Sequence, residues 1–386
     1  MSRFLLMVMT LLAATSGLAQ QVDARSGLKM TIFNPSAAAD RVLKQTDFIG
    51  RGKQSLKMVV FNHTKSSESQ SVVKEVVSET DVKRMPAPVK SITATPMNGH
   101  LKISTGYRRD HLKFSIADPT GSPNVLSELD WHHLESQQIE VGYDLSFAGG
   151  LYLQASADAA WIWNGRGRDS DWAGDNKTLE FSRSTFDTKG HLFDLSVGLG
   201  YSFNLPMNNR LTPLAGYAFN EQRLNVENGN QVLFDRENTA QYVGEDQVEF
   251  PLGSFRGLDS DYEARWHGPW LGLRWEYLGT NLEMFVQGEY HWLDYRAEAD
   301  WNLRQDFQHP VSFVHEADAE GWVAKIGASY RIRDNLSLML DARYRDWQTD
   351  SGSDETFFAD GDSGTTTFNE AEWESYGVNF GVNWDY

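Results

Sequence analysis

The 386-residue chain has no cysteine. Disulfide staples, a thiol nucleophile and the lipid-modified cysteine of a bacterial lipoprotein are therefore all excluded. No apolar run approaches the roughly 20 residues that a membrane-spanning helix needs, which excludes a helical membrane protein. Cations are scarce: 35 Lys and Arg stand against 53 Asp and Glu, a formal net charge of -18. Nucleic-acid binding needs a basic footprint that this chain does not have. Local catalytic signatures are missing too. His315-Glu316 opens like a zinc helix, but the position of the required second His is Ala319. Gly50-Arg-Gly52-Lys53 lacks the spacing of a phosphate loop, and Asp360-Gly-Asp-Ser-Gly364 reads as a solvated loop tip.

What the chain does have is alternation. It ends on Tyr376, Val378, Phe380, Val382, Trp384 and Tyr386, interleaved with Gly377, Asn379, Gly381, Asn383 and Asp385. Successive side chains of a strand point to opposite faces, so this is one greasy face and one small polar face. The same pattern recurs from Leu151 to Trp163, Phe193 to Phe203, Leu271 to Tyr277, Leu282 to Trp292, Trp322 to Ile332 and Leu336 to Tyr344. In the 282–292 segment the placement of Gln287 and Glu289 suggests a register adjustment. Weaker segments near 100–116, 126–147 and 211–225 bring the total to about ten strands, an even number that suits a bacterial barrel. Thirteen Trp, fourteen Tyr and twenty-one Phe fit aromatic girdles. The mean hydropathy of -0.48 is consistent with strands whose lumen side is polar.

These features predict an all-β, antiparallel transmembrane β-barrel over residues 97–386, in the bacterial outer membrane. A secreted lectin sandwich is the soluble competitor. Residues 1–19 read as a cleaved signal peptide: Arg3, an apolar core from Phe4 to Leu12, and Gly17-Leu18-Ala19. Residues 20–96, polar and low in complexity, read as a periplasmic extension containing a short repeat, Leu28–Asn34 and Leu56–Asn62. Short connections (147–150, 204–209, 279–280, 333–335) alternate with long acidic ones (165–185, 226–263, 302–320, 348–371), which places the long ones outside the cell.

The sharpest local chemistry is Asp169-Ser-Asp171-Trp172, two carboxylates close enough to share a proton. With Leu126–Trp131, Leu214-Ala-Gly-Tyr217 and Tyr262–Leu273, in that order, this motif resembles the omptins, outer-membrane endopeptidases on a ten-stranded barrel. The resemblance covers roughly His100 to Tyr386. It implies that Asp169 and Asp171 form one wall of a site and an Asp-x-His the other. Here that second motif reads Asp300-Trp-Asn302, with Asn302 in place of the His. An Asn takes no proton near neutral pH, and general-base help is worth roughly 10²–10⁴ in rate, so proteolysis is expected to be weak or absent. His309 and His315 lie further along and are the substitutes to watch.

The same resemblance implies that Asp110 and Glu298 take the places of the acidic residues with which omptins hold a basic substrate side chain. Gly106–Asp110 and Asn124–Trp131 also resemble the related Protochlamydia-type outer-membrane proteins. The resulting expectation is an omptin-like barrel, leaning non-enzymatic, with an acidic extracellular cleft for cationic peptides. Its rivals are an active endopeptidase cleaving near basic residues and a passive channel. No metal or cofactor is expected. The expected partners are outer-membrane lipid and lipopolysaccharide, the latter possible as a bound lipid, and the chain is expected to be monomeric.

Overall fold

The computed structural model describes residues 97–243 and 251–386; the expected signal peptide and the expected extension with its repeat lie outside them. The strands are β1 (Met97–Ile116), β2 (Ser127–Phe147), β3 (Leu151–Gly174), β4 (Thr178–Tyr201), β5 (Phe203–Leu205), β6 (Asn209–Phe234), β7 (Gly253–Ser254), β8 (Ser260–Leu278), β9 (Leu282–Asp300), β10 (Phe313–Arg333), β11 (Leu336–Thr349), β12 (Gly352–Phe357) and β13 (Ser363–Asp385). Among the described residues one helix, α1 (Arg236–Val243), sits between β6 and β7. Ten of the strands pair in the order β1-β2-β3-β4-β6-β8-β9-β10-β11-β13, and β13 returns to β1. That last ladder runs antiparallel from His100 opposite Asp385 to Ile116 opposite Phe368, so the sheet closes on itself and leaves no edge.

The period-two reading of the closing strand holds. Tyr376, Val378, Phe380, Trp384 and Tyr386 are exposed, whereas Asn379 and Asn383 are buried on the lumen face. The outward apolar band runs from Tyr201, Tyr330 and Tyr386 at the periplasmic end to Tyr107, Trp163, Trp292, Trp322 and Tyr344 at the other. Apolar side chains are stable there only against lipid. No register adjustment occurs in β9, whose pairing with β10 is continuous from Leu282 to Ala299. The odd positions Gln287, Glu289 and His291 are simply the lumen face.

Much of what reads as long loops is strand. β3 and β4 continue past the band to a tight turn at Asp175–Lys177, and β12 carries on above β11, pairing with β10 and β13. The acidic, polar composition of these stretches reflects two wet faces above the lipid rather than loop structure. Within the expected 226–263 loop, Asp235 caps α1: the Asn238 amide donates to its carboxylate at 2.9 Å.

The interior is layered. At mid-barrel the inward charges neutralise one another: Arg343 donates to Asp158 (2.9 Å) and Glu140 (3.1 Å), Arg345 to Asp194 (3.1 Å), Arg108 to Asp194 (2.8 Å), and Lys325 to Glu289 (2.6 Å). Buried charges persist only when paired in this way. Above them Trp266, Trp347 and Trp373 pack together, and the Arg345 guanidinium lies over the Trp373 ring at 4.3 Å. Above those comes a second aromatic layer, in which Phe114 stacks on Tyr262 at 5.1 Å and Tyr295 on Phe368 at 5.6 Å.

Candidate functional site

β3 has a register shift between Ile162 and Arg166. Below it the odd residues Trp161 and Trp163 face lipid; above it the odd residues face inward. Asp169 therefore pairs opposite the buried core residue Leu129, and Asp171 opposite Ser127. Both carboxyls are half-buried beyond the outer end of the apolar band. Ser127 Oγ donates to Asp169 at 3.3 Å. Burial and the neighbouring Asp171 charge push the Asp169 carboxyl well up. Burial pushes Asp171 up to about 6, against the opposing pull of Ser127, Ser182 and Arg304. The pair thus holds a proton into the near-neutral range, as its spacing suggests.

Arg304 pulls on both carboxyls. It comes from the connection between β9 and β10, where it is bidentate to Asp306 (2.9 and 2.7 Å) and lies 3.9 Å over the Phe307 ring. Nothing in the sequence singles this arginine out, because only closure of the ring sets its loop opposite β3.

Asp300, at the end of β9, has a histidine: His309 Nδ1 is 2.5 Å from its Oδ1. Asn302 does not fill that place. Its Oδ1 accepts from the Asp259 amide and from Ser260 Oγ, both at 3.0 Å, and its Nδ2 donates to the Gly257 carbonyl at 2.7 Å. It is a clamp on the chain entering β8, so its carbonyl and amide are spent on structure.

The faces differ as well. Ala297 and Ala299 are core residues, so strand alternation turns Glu298 and Asp300 to the outer side. Asp300 pairs opposite Asp261, and burial together with the Asp300 carboxylate pushes Asp261 up. Asp169 and Asp171 face the interior, while Asp300 and His309 do not.

The two expected cation-holding residues are also committed elsewhere. Asp110 is buried, bound by the Arg108 guanidinium at 2.9 Å and by Trp373 Nε1 at 2.9 Å. Glu298, on the outer face, pairs with Arg296 at 3.0 Å. His315 is part of the core: it meets the Tyr262 hydroxyl at 3.0 Å and Asp354 of β12 at 3.4 Å, and burial holds it below its usual value. The second aromatic layer fills the interior with Phe114, Trp131, Tyr262, Tyr295 and Phe368, all at most 2% exposed.

A family model described as Protochlamydia outer membrane protein matches residues 102–386. The chain belongs to that family. Family and fold together place it in the bacterial outer membrane. Among solved structures it is similar to the outer-membrane protease OmpT of Escherichia coli, with a TM-score of 0.62 and 16% identity over 77% of this chain and 99% of that one. At this identity the likeness is one of fold, and the fold is a ten-stranded omptin-like barrel. The outer membrane protein OprG of Pseudomonas aeruginosa is a more distant match, with a TM-score of 0.31 and 9% identity over 76% of this chain and 97% of that one. No curated protein sequence matches.

Proposed function

We propose that this barrel is a non-hydrolytic binding protein whose extracellular Asp169–Asp171 pair receives a cationic side chain, as of a basic peptide. The observation that carries the reading is the split between faces. A water-activating site needs its carboxylates and its base to converge on one reacting atom. Here the carboxyl pair faces inward and the Asp300–His309 pair outward. Arg304, already opposite the carboxyls, acts as the resident counter-cation that a basic ligand displaces.

An endopeptidase is the second reading, and one specific contact favours it: His309 stands 2.5 Å from Asp300, the acid–base partnership that Asn302 does not supply. The deciding experiment uses full-length protein refolded with lipopolysaccharide and a fluorescent dibasic peptide. Binding by anisotropy without cleavage is expected. Asp171→Asn should weaken it about tenfold, in line with loss of a charge-assisted contact, and Arg304→Ala should strengthen it. Cleavage abolished by Asp169→Ala and by His309→Ala would establish the peptidase instead.

A further inference from the structure

Below the charged mid-barrel layer lies a cavity of about 490 Å³ that reaches Asn98, Gly99, Asp334 and Tyr386 at the periplasmic end. Its size falls within the range of roughly 300–1,000 Å³ typical of small-molecule sites. A narrower space of about 50 Å³ continues inward, sharing Lys102, Asp144, Arg274 and Phe285 with it, and stops at Arg343. Among the described residues the cavity is thus a blind vestibule that opens at the periplasmic end.

Three features make it a built site. First, Tyr152 lines it, is 1% exposed, and its hydroxyl has no hydrogen-bond partner among the described residues. A buried donor left unpaired costs free energy that a ligand acceptor would recover. Second, Phe285 forms an apolar platform capped by Arg274 at 4.0 Å. Third, the wall carries both charges in adjoining pairs: Arg210 with Glu276 at 2.6 Å, Arg274 with the same Glu276 at 3.0 Å, and Lys102 with Asp144.

A ligand of a single charge would break one of these pairs and leave a buried partner uncompensated. A ligand carrying both charges exchanges partners without net loss.

We infer that this vestibule binds a small zwitterion of the amino-acid or short-peptide class from the periplasmic side. The ligand carboxylate meets Arg210 and Arg274, its ammonium meets Asp144 or Glu276, and Tyr152 donates to a carbonyl between them. Met339 lines the cavity, whereas Met207 is exposed on the turn between β5 and β6.

The test is a titration of full-length protein in micelles, carrying ¹³C-methyl methionine, with the dipeptide Ala-Ala. The Met339 resonance, assigned by Met339→Leu, is expected to shift saturably while Met207 stays fixed. N-acetyl-Ala-Ala and Ala-Ala amide, each missing one charge, should bind about tenfold more weakly or worse. Tyr152→Phe, which keeps the ring and heat-modifiable gel mobility, should weaken Ala-Ala roughly three- to tenfold. No shift of Met339 at the highest dipeptide concentration, or equal shifts with the blocked dipeptides, would overturn the assignment and leave a water-filled vestibule.

Discussion

At Asp169 and Asp171, burial and like charge act in the same direction on a carboxyl pair, against the pull of two serines and Arg304. The sign of the consequence follows from linkage. The folded chain holds this proton more tightly than the unfolded chain does. The pair therefore favours folding most at acidic pH, and that contribution is lost as the pH rises through about 6. Asp171→Asn removes one of the two titrating carboxyls and its repulsion of the other. The variant should be more stable than the parent at pH 8, by on the order of 1 kcal/mol, and nearly unchanged at pH 4. Urea unfolding in lipid vesicles at the two pH values reads this directly. An equal effect at both would mean that the carboxyls ionise normally. The serines and the arginine come from other parts of the chain, so the sequence shows the pair but not its environment.

At the scale of elements, the protruding upper barrel is held by aromatic packing between strands that are distant in sequence. Trp373 of β13 touches Trp266 of β8 and Trp347 of β11, donates to Asp110 of β1, and stacks its ring face against Arg345. Trp373→Ala opens a cavity and also leaves the buried Asp110 one donor short. Unfolding should become easier by about 3–5 kcal/mol, measured by urea titration with tryptophan fluorescence and gel mobility. A loss below about 1 kcal/mol would show that the layer closes over the gap. Close packing of this kind also explains two glycines. A Cβ on Gly198 or Gly216 would come within 2.6 or 2.3 Å of the Trp270 ring, so the buried indole requires both.

For the whole molecule, the ion pairs of the mid-barrel bear on the channel reading. Ten strands enclose a lumen that side chains can fill, whereas open aqueous pores occur in barrels of roughly 16–18 strands. Glu289, Lys325, Arg343 and Arg345 meet acids and bases across the barrel and leave the vestibule blind. Planar bilayers containing the protein should therefore show no stepwise conductance. Steady openings at moderate voltage would mean that the plug is mobile and would restore the channel reading.

The sequence alone determined the architecture, because period-two alternation with aromatic ends is a local property and only lipid stabilises such an outward face. It also showed two carboxylates at a spacing where they interact, whereas burial, the larger cause of their raised values, comes from the fold. It did not determine which face each acid occupies. Continuous parity from Trp163 would have left Asp169 and Asp171 on the outside, and one register shift in β3 turns them in. β9 has no such shift, so Asp300 stays with the outer residues and His309 folds back to it there. One residue of slip reverses every side chain beyond it. Hydrogen bonding between neighbouring strands decides that slip, and only the closed tertiary structure contains it.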